Sequence, residues 1–157
     1  MEVIYLVSNI PFVLSLILFS LIGQTALLDK KRVLSILFLL CAVLGIWLGS
    51  YGKELEATQY VIPMSLIVLG IFLMFKIEFT LVGFALMAIV AGFFNGHDMG
   101  LNLSYSNPMI PFMGYVIGYA LVITLFTERI KPLIPKPYGF KVIGGLIALV
   151  GIVLVCI

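Results

Sequence analysis

Long apolar runs alternate with short polar breaks along the chain, and the alternation occurs six times. The runs are Val3–Leu28, Val33–Tyr51, Tyr60–Phe75, Phe79–Asn95, Met109–Phe126 and Gly139–Ile157. A helix needs roughly 20 apolar residues to cross the hydrocarbon core of a bilayer, and each run meets that need, Tyr60–Phe75 only with help from its flanks. Lipid offers nothing to bond an open strand edge, so these runs must be helices. They are continuous and do not alternate in period two, which excludes a transmembrane β-barrel. The pattern predicts an all-α fold, a polytopic transmembrane bundle of about six spans.

The breaks are short. Asp29–Arg32, Gly52–Gln59, Lys76–Glu78, Gly96–Pro108 and Glu128–Tyr138 are the expected loops, and Gly96–Pro108 is the most polar of them. Pro132, Pro135 and Pro137 cannot continue a helix and favour an extended connector. Glu2 is the only charge before Asp29, and the basic cluster Lys30–Lys31–Arg32 follows the first run. That order does not fit a cleaved signal peptide and reads as an uncleaved first span.

Composition narrows the class further. Of the 157 residues, 63% are hydrophobic and 10% charged, against roughly 25% charged in a soluble domain. So much apolar surface cannot be hidden in a core of this size and must face lipid. The helices and loops use the whole length, so a single transmembrane domain over residues 1–157 is expected. The net charge of +2 comes with no basic stripe, which sets nucleic acid aside as a partner. Cys41 and Cys156 supply no disulfide framework and read as small apolar filler.

Charge gives an orientation. Lys30, Lys31, Arg32, Lys76, Arg129, Lys131, Lys136 and Lys141 fall on one side of a six-span layout, and Lys53 alone on the other. By the positive-inside rule the basic side is cytoplasmic. Both termini and the Gly96–Pro108 segment are then non-cytoplasmic, and a bacterial inner membrane is the expected location.

Small residues recur four apart at Gly45 and Gly49, Gly92 and Gly96, Gly114 and Gly118, and Gly144 and Ala148. Such spacing lets helix backbones approach closely in lipid. It serves packing inside one bundle, and equally an interface in a homo-oligomer or a larger membrane complex.

Candidate chemistry is concentrated after the fourth run, in Phe94-Asn95-Gly96-His97-Asp98-Met99-Gly100-Leu101-Asn102, which holds the only histidine. If the helix continues here, Asn95, Met99 and Asn102 share a face with Asp98 beside it, and His97 points elsewhere. Imidazole and oxygen donors suit nickel or cobalt, and thioether suits copper(I). Asn95, His97, Asp98, Met99 and Asn102 are therefore candidate metal contacts, and a divalent metal ion is the one cofactor to consider. The plainer reading is a polar helix cap in which His97 and Asp98 meet outside water. No Lys, Arg, Asp or Glu sits mid-span, which argues against a proton relay or a voltage sensor. No nucleophile or acid–base pair stands at a familiar spacing from His97, so the chain does not read as an enzyme.

Residues Leu81–Phe126 resemble the HupE/UreJ family of hydrogenase and urease accessory membrane proteins. In that family a span ends in Phe-His-Gly-x-Ala-His-Gly-x-Glu, a Gly/Tyr-rich span follows, and a last helix is of the Gly-Gly-x-x-Ala-x-x-Gly type. The counterparts here are Phe94–Asn102, then Gly114-Tyr115-Val116-Ile117-Gly118-Tyr119-Ala120, then Gly144-Gly145-Leu146-Ile147-Ala148-Leu149-Val150-Gly151. The resemblance implies a nickel or cobalt permease serving metalloenzyme assembly. The implied ligands do not carry over: Asn95 and Met99 stand at the two histidines, Asn102 at the glutamate, and His97 at the variable position. A second family motif, His-Pro-x-x-Gly-x-Asp-His, keeps only Pro11 in Ile10–Ile17. The chain thus resembles a divergent member. Its expected function is transporter-like handling of a divalent cation, and the alternative is a non-catalytic accessory subunit of a larger membrane complex.

Overall fold

In the computed structural model, residues 2–25, 33–75, 80–103, 109–130, 133–134 and 138–156 are described. Six helices follow in order: α1 (Glu2–Thr25), α2 (Val33–Gly49), α3 (Thr58–Phe75), α4 (Leu81–Leu103), α5 (Met109–Ile130) and α6 (Tyr138–Cys156). No strand occurs among the described residues. Of these helices, α3, α4 and α6 are long and apolar enough to cross a membrane, and shorter apolar stretches lie in α1, α2 and α5.

Most helix limits fall within a few residues of the hydropathy breaks. The exception is the end of α4. The sequence suggests a loop from Gly96, but the helix runs on to Leu103. Glycine and asparagine are poor helix formers by propensity, and tertiary packing overrides that preference here. Gly92, Gly96 and Gly100 form one row on α4. A Cβ at any of them would collide with a backbone carbonyl of α2, at Phe38, Ala42 and Ile46 in turn. Gly45 and Gly49 of α2 face the Phe93 and His97 carbonyls in the same way. Both series ascend together, so α2 and α4 run parallel. Backbones this close bring Cα–H groups against carbonyl oxygens, a weak attraction that recurs at such crossings.

A second close pair is α3 with α6. A Cβ on Gly144 would lie 2.5 Å from the Gly70 oxygen, and one on Gly151 would lie 2.9 Å from the Pro63 oxygen. The numbering falls along one helix as it rises along the other, so this pair is antiparallel. Phe72 and Phe84 meet edge to face at 5.8 Å, closing α3 and α4 into an antiparallel hairpin.

Between the pairs lies α1, in contact with α2, α3, α4 and α5. From residue 10 to residue 22 only Ile10 is exposed, and Phe12, Leu16, Leu18 and Phe19 are fully buried. Phe12 and Phe19 flank Phe38 of α2 at ring separations of 5.3 and 5.4 Å. The outer faces of the bundle are apolar, with Leu40, Leu44, Val82, Leu86, Leu121, Val122, Leu146 and Leu149 exposed. An apolar surface this extensive suits hydrocarbon better than water.

Candidate functional site

Glycines on α2 let the polar turn of α4 enter the interior. A Cβ at Gly45 would stand 2.7 Å from the His97 amide nitrogen, and one at Gly49 would strike the His97 carbonyl. The His97 backbone therefore lies directly against α2, and its side chain is only 2% exposed. The imidazole stacks on Phe93, one turn earlier, with ring centroids 6.2 Å apart and planes 29° apart. Its Nδ1 is buried without a hydrogen-bond partner. A buried polar atom left unbonded costs roughly 1–3 kcal/mol, so this nitrogen stands out from the satisfied groups around it.

Asn95 is also 2% exposed, and its amide Nδ2 donates to the Ala91 carbonyl at 2.7 Å, one turn back. That bond ties the side chain to its own helix. Met99 is buried at 6%. Asp98 is half-buried. Asn102 lies within α4, but its side chain falls outside the described part. Asn95, His97 and Met99 thus share the interior of the bundle with Asp98 at its margin. The cap in which His97 faces outside water does not occur. Among the described residues no three His, Cys, Asp or Glu side chains gather as a ready metal cluster.

The packing glycines divide. Gly45, Gly49, Gly92 and Gly96 are wedged between α2 and α4, whereas a Cβ on Gly118 of α5 would meet nothing within 4 Å. Gly114 is helical, with its surroundings outside the described part. Several contributors were not evident from sequence. Gly100 continues the row of Gly92 and Gly96, a signal the four-residue spacing does carry. Gly70 and Gly151 gave no such spacing. Thr58 and Ser35 are buried with unpartnered hydroxyls, although both sit near run ends where polar residues look unremarkable.

A bundle that is all-helical among the described residues, with apolar outer faces and three helices long and apolar enough to cross a bilayer, has the build of a membrane protein. Residues 10–154 match the HupE / UreJ protein family, nearly the whole length. The chain belongs to that family, which is linked to nickel and cobalt accessory or transport roles. No curated protein and no solved structure gives a match.

Proposed function

We propose that this chain is a transporter-like membrane protein for a divalent cation of the nickel or cobalt kind, with the α4 turn at Asn95, His97, Asp98, Met99 and Asn102 as its contact. The observation that carries the reading is the buried, unpartnered Nδ1 of His97 beside half-buried Asp98. A neutral imidazole nitrogen is a good donor to these metals. A path also needs binding weak enough to release its ion, so a sparse ligand set suits transit better than storage.

The bundle is proposed as one transmembrane domain of six spans in a bacterial inner membrane, with both termini non-cytoplasmic. Parallel α2 and α4, joined through an α3 that returns antiparallel, are what successive crossings produce. Exposed Trp47, Tyr51 and Tyr60 cluster where α2 ends and α3 begins, a position suited to the headgroup level. The eight-to-one distribution of basic residues supports the orientation.

Changing His97 and Asp98 together to Ala should lower nickel or cobalt accumulation in cells expressing the protein, measured by elemental analysis at matched membrane levels. Unchanged accumulation would refute the reading. A second reading, an accessory subunit without transport, draws on the uncovered Gly118 of α5. Purification in mild detergent tests it, because an accessory subunit co-migrates with partners at fixed stoichiometry and a lone monomer does not.

A further inference from the structure

Glycine divides the bundle into two bodies. In α2–α4, main chain meets main chain from Phe38 and Gly92 to Gly49 and Leu101. In α3–α6 it does so from Met74 and Gly144 to Pro63 and Gly151. The nearest atoms to each glycine in these seams belong to its own pair. Backbone packed against backbone cannot turn or slide without collision, so each pair moves as a unit if it moves at all. The rings of Phe12 and Phe19 flank Phe38, which fixes α1 to the α2–α4 body, and α5 touches α1 and α2.

Between the bodies the fit is of another kind. Pro63, Ile67, Gly70 and Met74 of α3 meet α6, and a second buried row, Ile62, Leu66, Leu69 and Leu73, runs beside them. α3 also touches α1 and α4, and Phe72 meets Phe84 edge to face. Apolar side chains can change rotamer, and helices packed through them can shift by small amounts. The chain links differ as well. Five residues separate Phe75 from Leu81 at the Phe72–Phe84 end, and eight separate Gly49 from Thr58 at the other. Of those eight, all from Tyr51 to Ala57 are exposed. One end of α3 is thus held close to α4, and the other is tethered through a longer segment that faces solvent.

We infer that α3 and α6 swing as one body against α1, α2 and α4, about the Phe72–Phe84 contact, and that the swing opens the end of the bundle that carries the Asn95–Asn102 turn. Asp98 follows Phe84 by fourteen residues, so that turn stands about 21 Å from the pivot. At such a distance a swing of about 10° displaces one body from the other by about 4 Å, while the pivot hardly moves. The motion is a property of the packing and does not depend on the cargo being a metal ion.

The test uses the full chain in lipid nanodiscs, with Cys41→Ala and Cys156→Ala removing the native thiols. Pairs of exposed residues are changed to Cys and spin-labelled, and double electron–electron resonance reads the distances between the labels. Leu48 with Tyr60 spans the two bodies at the opening end, and Ile71 with Val82 spans them at the pivot. Tyr60 with Val155 lies within α3–α6, and Leu40 with Val90 within α2–α4. The Leu48–Tyr60 pair should show two distances about 4 Å apart, and the other three pairs one distance each. One distance for all four pairs would mean a single rigid bundle and overturn the inference. A split in Tyr60–Val155 would overturn it as well, because α3 would then move without α6. An equal split at Ile71–Val82 would remove the pivot. These distances are independent of metal accumulation, so either reading can fail while the other stands.

Discussion

The α2–α4 pair and the α3–α6 pair use one packing device for different ends. Both bring helix backbones together through glycine, with carbonyl oxygens where a larger residue would place its Cβ. In α3–α6 the surrounding residues are apolar: Leu66, Leu69, Leu73, Ile147 and Ala148 are buried around Gly70, Gly144 and Gly151. In α2–α4 the same close approach draws Asn95 and His97 inside. One pair holds the bundle together. The other does that and also carries nearly all the candidate chemistry. Glycine packing in this protein is therefore neutral about function, and function follows from which side chains ride on the packed turn.

The largest effect that separates the pairs should come from Gly96→Leu. Its side chain has no room beside the Ala42 backbone, which cannot yield as a flexible side chain could. A loss of about 3 kcal/mol or more is expected, seen as aggregation on fluorescence-detected size exclusion. Next is Gly144→Leu, where the Cβ would sit 2.5 Å from the Gly70 oxygen and 2.7 Å from the Met74 amide. It should cost about 2–3 kcal/mol in thermal stability. Residual folded protein should keep its cation affinity, because the proposed contacts Asn95, His97, Asp98, Met99 and Asn102 all lie on α4. If affinity falls in step with stability, the two pairs are not separable.

Smaller effects sharpen the contrast. Asn95→Leu removes the bond to Ala91 and keeps the number and branching of side-chain heavy atoms, so it should change stability by only about 1 kcal/mol. Cation accumulation should nonetheless fall, which uptake assays normalised to membrane protein would show. Gly118→Ala should be the mildest, within about 0.5 kcal/mol, since its methyl group enters open space. A larger loss, or a change in oligomer size on native gels, would mean that α5 is covered by another chain.

Hydropathy made the six helices legible, because the requirement to match a bilayer leaves a strong period-free signal. It misjudged α4 after Asn95. There the residues Gly96, His97, Asp98, Gly100 and Asn102 look like a loop one at a time. What holds them helical is the facing surface of α2, and a property of two segments together is invisible in either alone. The same holds for the site. The chemical types in Asn95–Asn102 were readable, but the burial of His97 depends on Gly45 and Gly49, about a third of the chain away.

The pairing of α3 with α6 also bears on how the protein is made. Helices enter a membrane in the order of synthesis, and α4 and α5 are both produced before α6. Until α6 arrives, Gly70 of α3 lacks the helix that covers it in the finished bundle, and Pro63 and Gly151 have yet to meet. The hairpin of α3 with α4 can close early, through Phe72 and Phe84. Assembly is thus staged, with α2 and α4 able to lock while α3 waits on its later partner. Ribosome-stalled chains ending before residue 138 should leave α3 open to lipid-phase crosslinkers that the finished protein excludes.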